Sequence, residues 1–438
     1  MIPVVVRGSL LWFIADPLLE PAERAVRYVE DGGVLCRDGL IVASGPWTEL
    51  RSRLPPDAVV RHYPKHLVTA GFVDSHVHYP QLDIVGSPGG ELTEWLDRYA
   101  YPEERRFDDA DHARAVADRF CTELLRNGTT TALCFCTSHP TSVDALFAAS
   151  TERDMRMIAG KVLMDRGGPD ELLDTAERGW RESAELLARW HGTGRNGYAI
   201  TPRFAPGCSS AQLEAAGALW REHPDALVHT HIAETESEVA EVTRLFGNRS
   251  DYYDVYDHSG LTGRGAVFAH GVHLSETELI RCYESDTALV HCPTSNLYLG
   301  SGLFDLRTAT LPSRPIVIGL GSDVGAGPSL SLPRVIHGAY QVARLRDDPF
   351  DAVHGFYLAT LGGARALGLA DRIGSLVPGR EADLVVLDPA ATPMLARRSE
   401  RAQSLAELLF ALAVLGDDRM IRSTYVAGER LHWREPED

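Results

Sequence analysis

His76 and His78 are separated by one residue at the end of an apolar run, Leu67 to Val77. Such a run reads as a buried strand, in which alternate side chains share a face. Both imidazoles then point the same way and can grip one metal ion through two nitrogens. A His-x-His pair alone is short and common, so its weight depends on further ligands arriving at other strand ends. Three do. His231 closes Leu227-Val228-His229-Thr230-His231, His270 closes Val267-Phe268-Ala269-His270, and Asp323 closes Val317 to Ser322. Imidazoles with one carboxylate suit Zn²⁺, with Fe²⁺ as an alternative. Water on such an ion loses a proton near neutral pH and becomes a nucleophile. Asp323 has two oxygens and can touch the ion while accepting that proton. Glu234, three residues past His231, is placed near the ion without being a ligand, as a proton shuttle requires.

Elements must carry these side chains to one point. From Thr69 to Leu369 strands alternate with helical periods. Expected strands after the opening one are Thr129 to Phe135, Arg156 to Met164, Tyr198 to Arg203, Ala226 to His231, Ala266 to His270, Thr287 to His291 and Ile316 to Asp323. Between them lie helix-like stretches such as Asp109 to Arg126, Pro169 to Trp190, Ser209 to Glu222 and Ser275 to Glu284. Eight strands in alternation predict an α/β fold, a (β/α)8 barrel of the TIM type, whose sites form at the carboxyl ends of the strands. No Gly-x-Gly-x-x-Gly follows an early strand, which argues against a dinucleotide fold. By the same geometry His229 sits deeper than His231 and is not ranked as a ligand. His291, in His291-Cys292-Pro293, reads as a supporting residue.

Both ends of the chain have a different texture. Val4 to Val6, Leu10 to Ile14, Gly33 to Leu35 and Leu40 to Ser44 read as strands, with Asp31-Gly32 as a hairpin signal. So do Gly374 to Leu376, Ala382 to Leu387, Ser423 to Val426 and Arg430 to Trp433. The expected organisation is residues 1–66 and 370–438 as two halves of one β-sandwich flanking a barrel at 67–369. Gly247 to Gly265 is a polar connection, either an active-site loop, which its length favours, or a solvated crossing.

Composition narrows the function classes. A net charge of -18 argues against a nucleic-acid partner, which calls for a basic surface. No apolar run approaches membrane-spanning length; Leu405 to Leu415 carries Glu407 and reads as a core helix. No secretory signal is visible at the N-terminus. Seven scattered cysteines without framework spacing point to reduced thiols and a cytoplasmic protein. The absence of Cys-x-x-Cys removes deaminases whose zinc is held by paired cysteines.

The residues resemble the amidohydrolase superfamily, and within it the barrel-type guanine deaminases. The resemblance is carried by Gly71 to His78, Glu94-Trp95-Leu96 through Pro102-Glu103-Glu104-Arg105-Arg106-Phe107, and Asn127 to Thr131. Further along it rests on Gly160 to Asp165, Thr201-Pro202-Arg203-Phe204, Thr230 to Glu234, His291 to Asn296 and Leu415 to Arg419. It implies one zinc held by His76, His78, His231 and Asp323, with His270 either a ligand or bound to the hydroxide. It implies a base held by Gln81, Arg203 and Phe204, and a homodimer. Lys161 reads as structural, and Arg203 stands where binuclear relatives carry a bridging lysine.

Guanine is consistent with these side chains. An arginine fork matches the O6/N7 edge of the base; Gln81 both donates and accepts; Phe204 and Trp95 can pack on the ring. Arg203 has an alternative reading as a barrel-interior ion pair. The expected reaction is hydrolysis of guanine to xanthine and ammonia, with Asp323 taking the proton of the attacking water and Glu234 protonating N3. Alternatives are an aminohydrolase acting on a pterin, 8-oxoguanine or a triazine, a binuclear ring-opening amidohydrolase, and a non-enzymatic scaffold on the same fold.

Overall fold

Residues 2–435 are described by a computed structural model. Its strands in chain order are β1 (Val4–Phe13), β2 (Val26–Arg37), β3 (Leu40–Pro46), β4 (Val59–Ala70), β5 (Phe72–His78), β6 (Thr129–Phe135), β7 (Arg156–Gly160) and β8 (Val162–Leu163). They continue with β9 (Gly197–Pro202), β10 (Leu227–Ile232), β11 (Ala266–His270), β12 (Ala288–His291), β13 (Ile318–Leu320), β14 (Leu384–Leu387), β15 (Ile421–Val426) and β16 (Glu429–Trp433).

β5 to β13 form the barrel. They run parallel in the spatial order β13-β12-β11-β10-β9-β7-β6-β5, with β8 continuing β7 onto β9. Every residue of β5, β6 and β11 is buried, as expected for parallel strands covered on both faces. The circuit closes beyond β13, where Asp323 N–H donates to His76 O at 2.9 Å and His78 N–H to Val324 O at 2.8 Å. That closure matters chemically, because it brings the eighth strand's carboxylate beside the first strand's histidines.

The flanking helices start where side chains cap them. Asp109 accepts from Asp111 and His112 N–H ahead of Ala110–Arg126, and Ser275 with Glu278 forms a capping box on Glu276–Glu284. The stretch expected as one helix from Pro169 begins only at Ala176, after the cap at Thr175. Residues 170–172 make a separate turn, and Asp174 turns inward to Lys161.

The two chain ends share one mixed sheet, ordered β16-β15-β14-β4-β1-β2-β3. Its far edge returns to the segment before β14: Ile41 N–H donates to Arg380 O and Ala382 N–H to Gly39 O, each at 2.8 Å. The sheet thereby folds over its own apolar filling, which includes Val6, Leu10, Val34, Ile41, Leu384 and Tyr425. This separate mixed sheet, built from both ends of the chain, is the flanking β-structure expected from the terminal strands.

Several local expectations are corrected. Leu67 to Val77 is not one strand. Leu67–Ala70 pairs with β14 in the terminal sheet, and the chain crosses to the barrel at Gly71. A β-carbon there would sit 2.2 Å from Thr130 Oγ1, so only glycine fits the crossing. Asp31-Gly32 lies inside β2 opposite Gly8. The true hairpin is Asp38-Gly39, with φ of 50° and 80°, the signature of a tight turn between twisted strands. Arg156 to Met164 is broken at Lys161 into β7 and β8. Gly374 to Leu376 forms no strand. Gly247 to Gly265 contains a helix, Tyr252–His258, whose Tyr252 and Tyr256 hydroxyls bond to Glu238 and to His231 O. It is packed structure rather than a solvated loop. Leu405–Leu415 is a helix as expected, and among the described residues no helix is long and apolar enough to cross a membrane.

Candidate metal centre and active site

Five side chains meet at the barrel mouth. Nε2 of His78 lies 3.2 Å from Nε2 of His76 and 3.2 Å from Nε2 of His231. Asp323 Oδ1 is 3.1 Å from His76 Nε2 and 3.3 Å from His78 Nε2. His270 Nε2 stands 3.8 Å from Asp323 Oδ2. One ligand atom from each of His76, His231, His270 and Asp323 falls within 4.8 Å of the others. Four atoms held at about 2.1 Å around a tetrahedral ion lie about 3.4 Å apart, close to the spacings found here.

The donor chemistry fits a cation as well as the spacing does. Nδ1 of His231 faces the Arg203 carbonyl at 2.5 Å, and Nδ1 of His270 faces Asn296 Oδ1 at 2.8 Å. Both ring hydrogens are thereby committed outward, so both Nε2 lone pairs point inward. His270 Nε2 is buried without a hydrogen-bond partner. Burial lowers His76 to about 4 and pushes His229 and His231 well below the ordinary histidine value. Neutral imidazoles at His76 and His231 beside a carboxylate are what a divalent cation binds, whereas at His270 burial is outweighed by the charges of Glu234 and Asp323, which hold the ring above its ordinary value.

The backbone is bent to achieve this. His270 and Asp323 have φ of 73° and 49°, and Ala233 beside Glu234 has 48°. Such left-handed residues cost on the order of 1 kcal/mol each and persist where surrounding contacts fix them. One fixing contact is Asp74, whose carboxylate accepts from Ser322 N–H at 2.9 Å and from its hydroxyl. It pins the turn carrying Asp323 to β5.

Above the cluster lies a cavity lined by His78, His231, His270, Asp323, Glu234, Gln81, Arg203, Phe204 and Trp95, with Leu92, Leu96, Leu299 and Ala326 as apolar wall. All ten side chains singled out in the sequence are accounted for: nine line this space, and His76 sits beneath it. Glu234 presents Oε2 3.5 Å from His270 Nε2, while Ser301 holds its Oε1 at 2.9 Å. Burial raises the Glu234 carboxyl to about 7, against the pull of His270. Arg203 does form the expected ion pair, with Glu104. It faces the cavity, and its Nη1 and Nη2 also donate to Glu104 at 2.6 and 2.9 Å.

The Amidohydrolase family matches residues 67–431. The guanine deaminase of Escherichia coli K12 is 47% identical over 431 residues, 98% of each chain. A probable guanine deaminase of Deinococcus radiodurans is 39% identical over 440 residues, 99% of each chain. Among solved structures, E. coli guanine deaminase superposes with a TM-score of 0.95, covering 98% of this chain and 100% of that one at 47% identity. The C. acetobutylicum enzyme, solved with guanine in its active site, gives 0.88 at 28% identity, covering 98% and 100%. The chain belongs to the amidohydrolase family, among its guanine deaminases.

For an amidohydrolase of this kind, four supporting residues escape a reading of the sequence alone. His229 was set aside as too deep to be a ligand, yet its Nε2 lies 2.8 Å from His76 Nδ1 and fixes that ring. Parity placed it on the correct face without revealing the contact. Asn296 orients His270 and Ser301 orients Glu234. Glu104 pairs with Arg203 across 99 positions of sequence, and no local signal marks it. His291 stacks on Phe304 with ring centroids 4.9 Å apart. Lys161 is buried in an ion pair with Asp174 and lies 3.5 Å from Glu182, so it has a structural role.

Proposed function

We propose that this chain hydrolyses guanine to xanthine and ammonia, with one zinc ion per chain. The observation that carries the reading is the meeting of His76, His78, His231, His270 and Asp323 under a cavity walled by Arg203, Gln81 and Glu234. When bound, the cation supplies a water acidic enough to attack near neutral pH.

The remaining work falls to side chains. His76, His78, His231 and Asp323 hold the ion, with His270 either a further ligand or a partner of the attacking water. Arg203 reads the O6/N7 edge, Gln81 complements it, and Phe204 and Trp95 pack on the ring, turning C2 toward the ligand cluster. Asp323 accepts a proton from the water. Glu234, held by Ser301 at 2.9 Å, delivers a proton to N3 and makes C2 electrophilic. Asp323 then gives its proton to the departing amine and Glu234 takes up the hydroxyl proton, so that collapse of the tetrahedral adduct breaks the C2–N bond, expels ammonia and leaves the carbonyl of xanthine.

The same reading takes the chain as a cytoplasmic homodimer divided at residues 66 and 370. Seven cysteines, all free and buried, agree with a reducing compartment. The direct test is ammonia release from guanine, 8-oxoguanine, isoxanthopterin, adenine, cytosine and ammeline, with metal content measured on the same sample. Guanine is expected to be preferred, at one equivalent of zinc. Preference for another base overturns the substrate, and two equivalents of metal overturn the mononuclear site.

A further inference from the structure

We infer that Glu104 is a positioning residue that sets which bases this site accepts, by locking Gln81 and Arg203 into one pattern of donors and acceptors. The inference rests on the proposed guanine site and deepens it.

Glu104 is 2% exposed and both its oxygens are engaged. Oε2 accepts from Arg203 Nη1 at 2.6 Å. Oε1 accepts from Arg203 Nη2 and from Gln81 Nε2, each at 2.9 Å. A carboxylate only accepts, so it dictates which end of the Gln81 amide faces it. The other end agrees: Gln81 Oε1 accepts from Gly325 N–H at 3.2 Å. Turning the amide over would set oxygen against carboxylate and N–H against N–H. Its orientation is therefore fixed from both sides.

Arg203 is constrained in the same way. It is 3% exposed, and a lone guanidinium at that depth would be strongly unfavourable. Glu104 supplies the compensating charge through a two-point bond that fixes the guanidinium plane. The Tyr101 ring lies 5.0 Å from the guanidinium carbon and limits tilting. Two of the five N–H groups are used, which leaves three that can only donate. A ligand edge facing them must accept at neighbouring atoms. The 6-oxo purine edge does so, whereas a 6-amino edge presents a donor and is rejected. Glu104 itself lines no part of the cavity; it acts through the residues that do.

The test compares wild type, Glu104→Gln and Glu104→Asp, each loaded with zinc and checked for thermal midpoint and metal content. Titration calorimetry measures binding of two ligands that lack the C2 amine and cannot be deaminated there. Hypoxanthine keeps the O6/N7 edge, and purine lacks the oxygen. In Glu104→Gln, hypoxanthine binding is expected to weaken by roughly 10- to 100-fold, the worth of one or two charge-assisted hydrogen bonds, with purine little changed. KM for guanine should rise more than kcat falls. Glu104→Asp keeps the charge at shorter reach and should lie between the other two. If both ligands weaken equally, or neither does, Glu104 only supports the fold and the inference is overturned. Failure of both variants to fold overturns it as well. A wild-type chain inert on guanine overturns the underlying substrate reading, whereas an active wild type with an unchanged ligand ratio overturns this inference alone.

Discussion

The barrel mouth and the seam beneath the barrel both bury charge, and they treat it in opposite ways. At the seam, Arg156 and Arg195 from the barrel meet Glu381 and Asp383 from the terminal segment. Arg156 Nε donates to Glu381 at 3.0 Å and Arg195 Nη1 to Asp383 at 3.0 Å. Spare donors reach backbone: Arg156 Nη1 to Arg195 O at 3.1 Å and Arg195 Nη1 to Asp154 O at 2.8 Å. Two cations face two anions and nothing is left over. At the mouth, four histidines and Asp323 aim lone pairs at one another, and His270 Nε2, 3.5 Å from Glu234 Oε2, makes no hydrogen bond among the described residues. The left-handed backbone of His270 and Asp323 belongs to this region too. A seam with every charge matched holds the molecule together. A mouth with unmatched acceptors is built for a ligand that the chain does not itself provide.

Removing the metal should separate the two regions most sharply. Dialysis against a chelator is expected to abolish ammonia release and lower the thermal midpoint, with zinc restoring both. Activity that survives with no metal detected would make the mouth another matched cluster. Next, Glu234→Ala should retain its metal while kcat falls about 10³-fold or more, the range for a lost general acid. Near-normal turnover would remove Glu234 from the chemistry. Asn296→Leu strips the partner of His270 Nδ1 and should reduce zinc affinity or activity by about 10- to 100-fold. An unchanged zinc titration and unchanged turnover would show that the His270 ring needs no orienting.

Glu381→Gln should leave kcat nearly untouched and lower stability by about 3 kcal/mol, as expected when one partner of a buried pair is lost. Burial pushes the Glu381 carboxyl up, but the Arg156 and Arg195 bonds outweigh it and hold it below its ordinary 4.5. Its stabilisation is therefore present above that value and lost as pH falls toward the lowered one. Denaturant melts at stepped acidic pH should show a shallower decline in the variant. A parallel decline would mean that the seam is not where acid acts.

How much of this was legible in the sequence depended on distance along the chain. The candidate ligands were readable because strand parity and strand ends are local properties, and His76, His78, His231, His270 and Asp323 each sit at or just past such an end. The barrel was readable from its alternation. What escaped was set by partners far away in sequence. Glu104 has meaning only beside Arg203, and Arg203 could not be known to serve both a carboxylate and a cavity. The Leu67 to Val77 run looked like one strand because hydrophobicity does not say which sheet receives it; the steric demand of Thr130 at Gly71 decides that. Asp31-Gly32 imitated a turn because glycine also serves where strands approach closely, as opposite Gly8.

Trp95, Tyr101 and Glu104 all arrive on one excursion between β5 and β6. It is made of Leu92–Trp95, the π-turn Leu96–Ala100 and Tyr101–Glu104. The candidate ligands come from the strand ends instead. On the proposed reading, the side chains that would hold the ion sit at strand ends, and the excursion supplies Glu104, which orients the base-reading Gln81 and Arg203 just past β5 and β9. A lineage could rewrite the excursion to take up a new heterocycle while the hydrolytic engine stayed as it was.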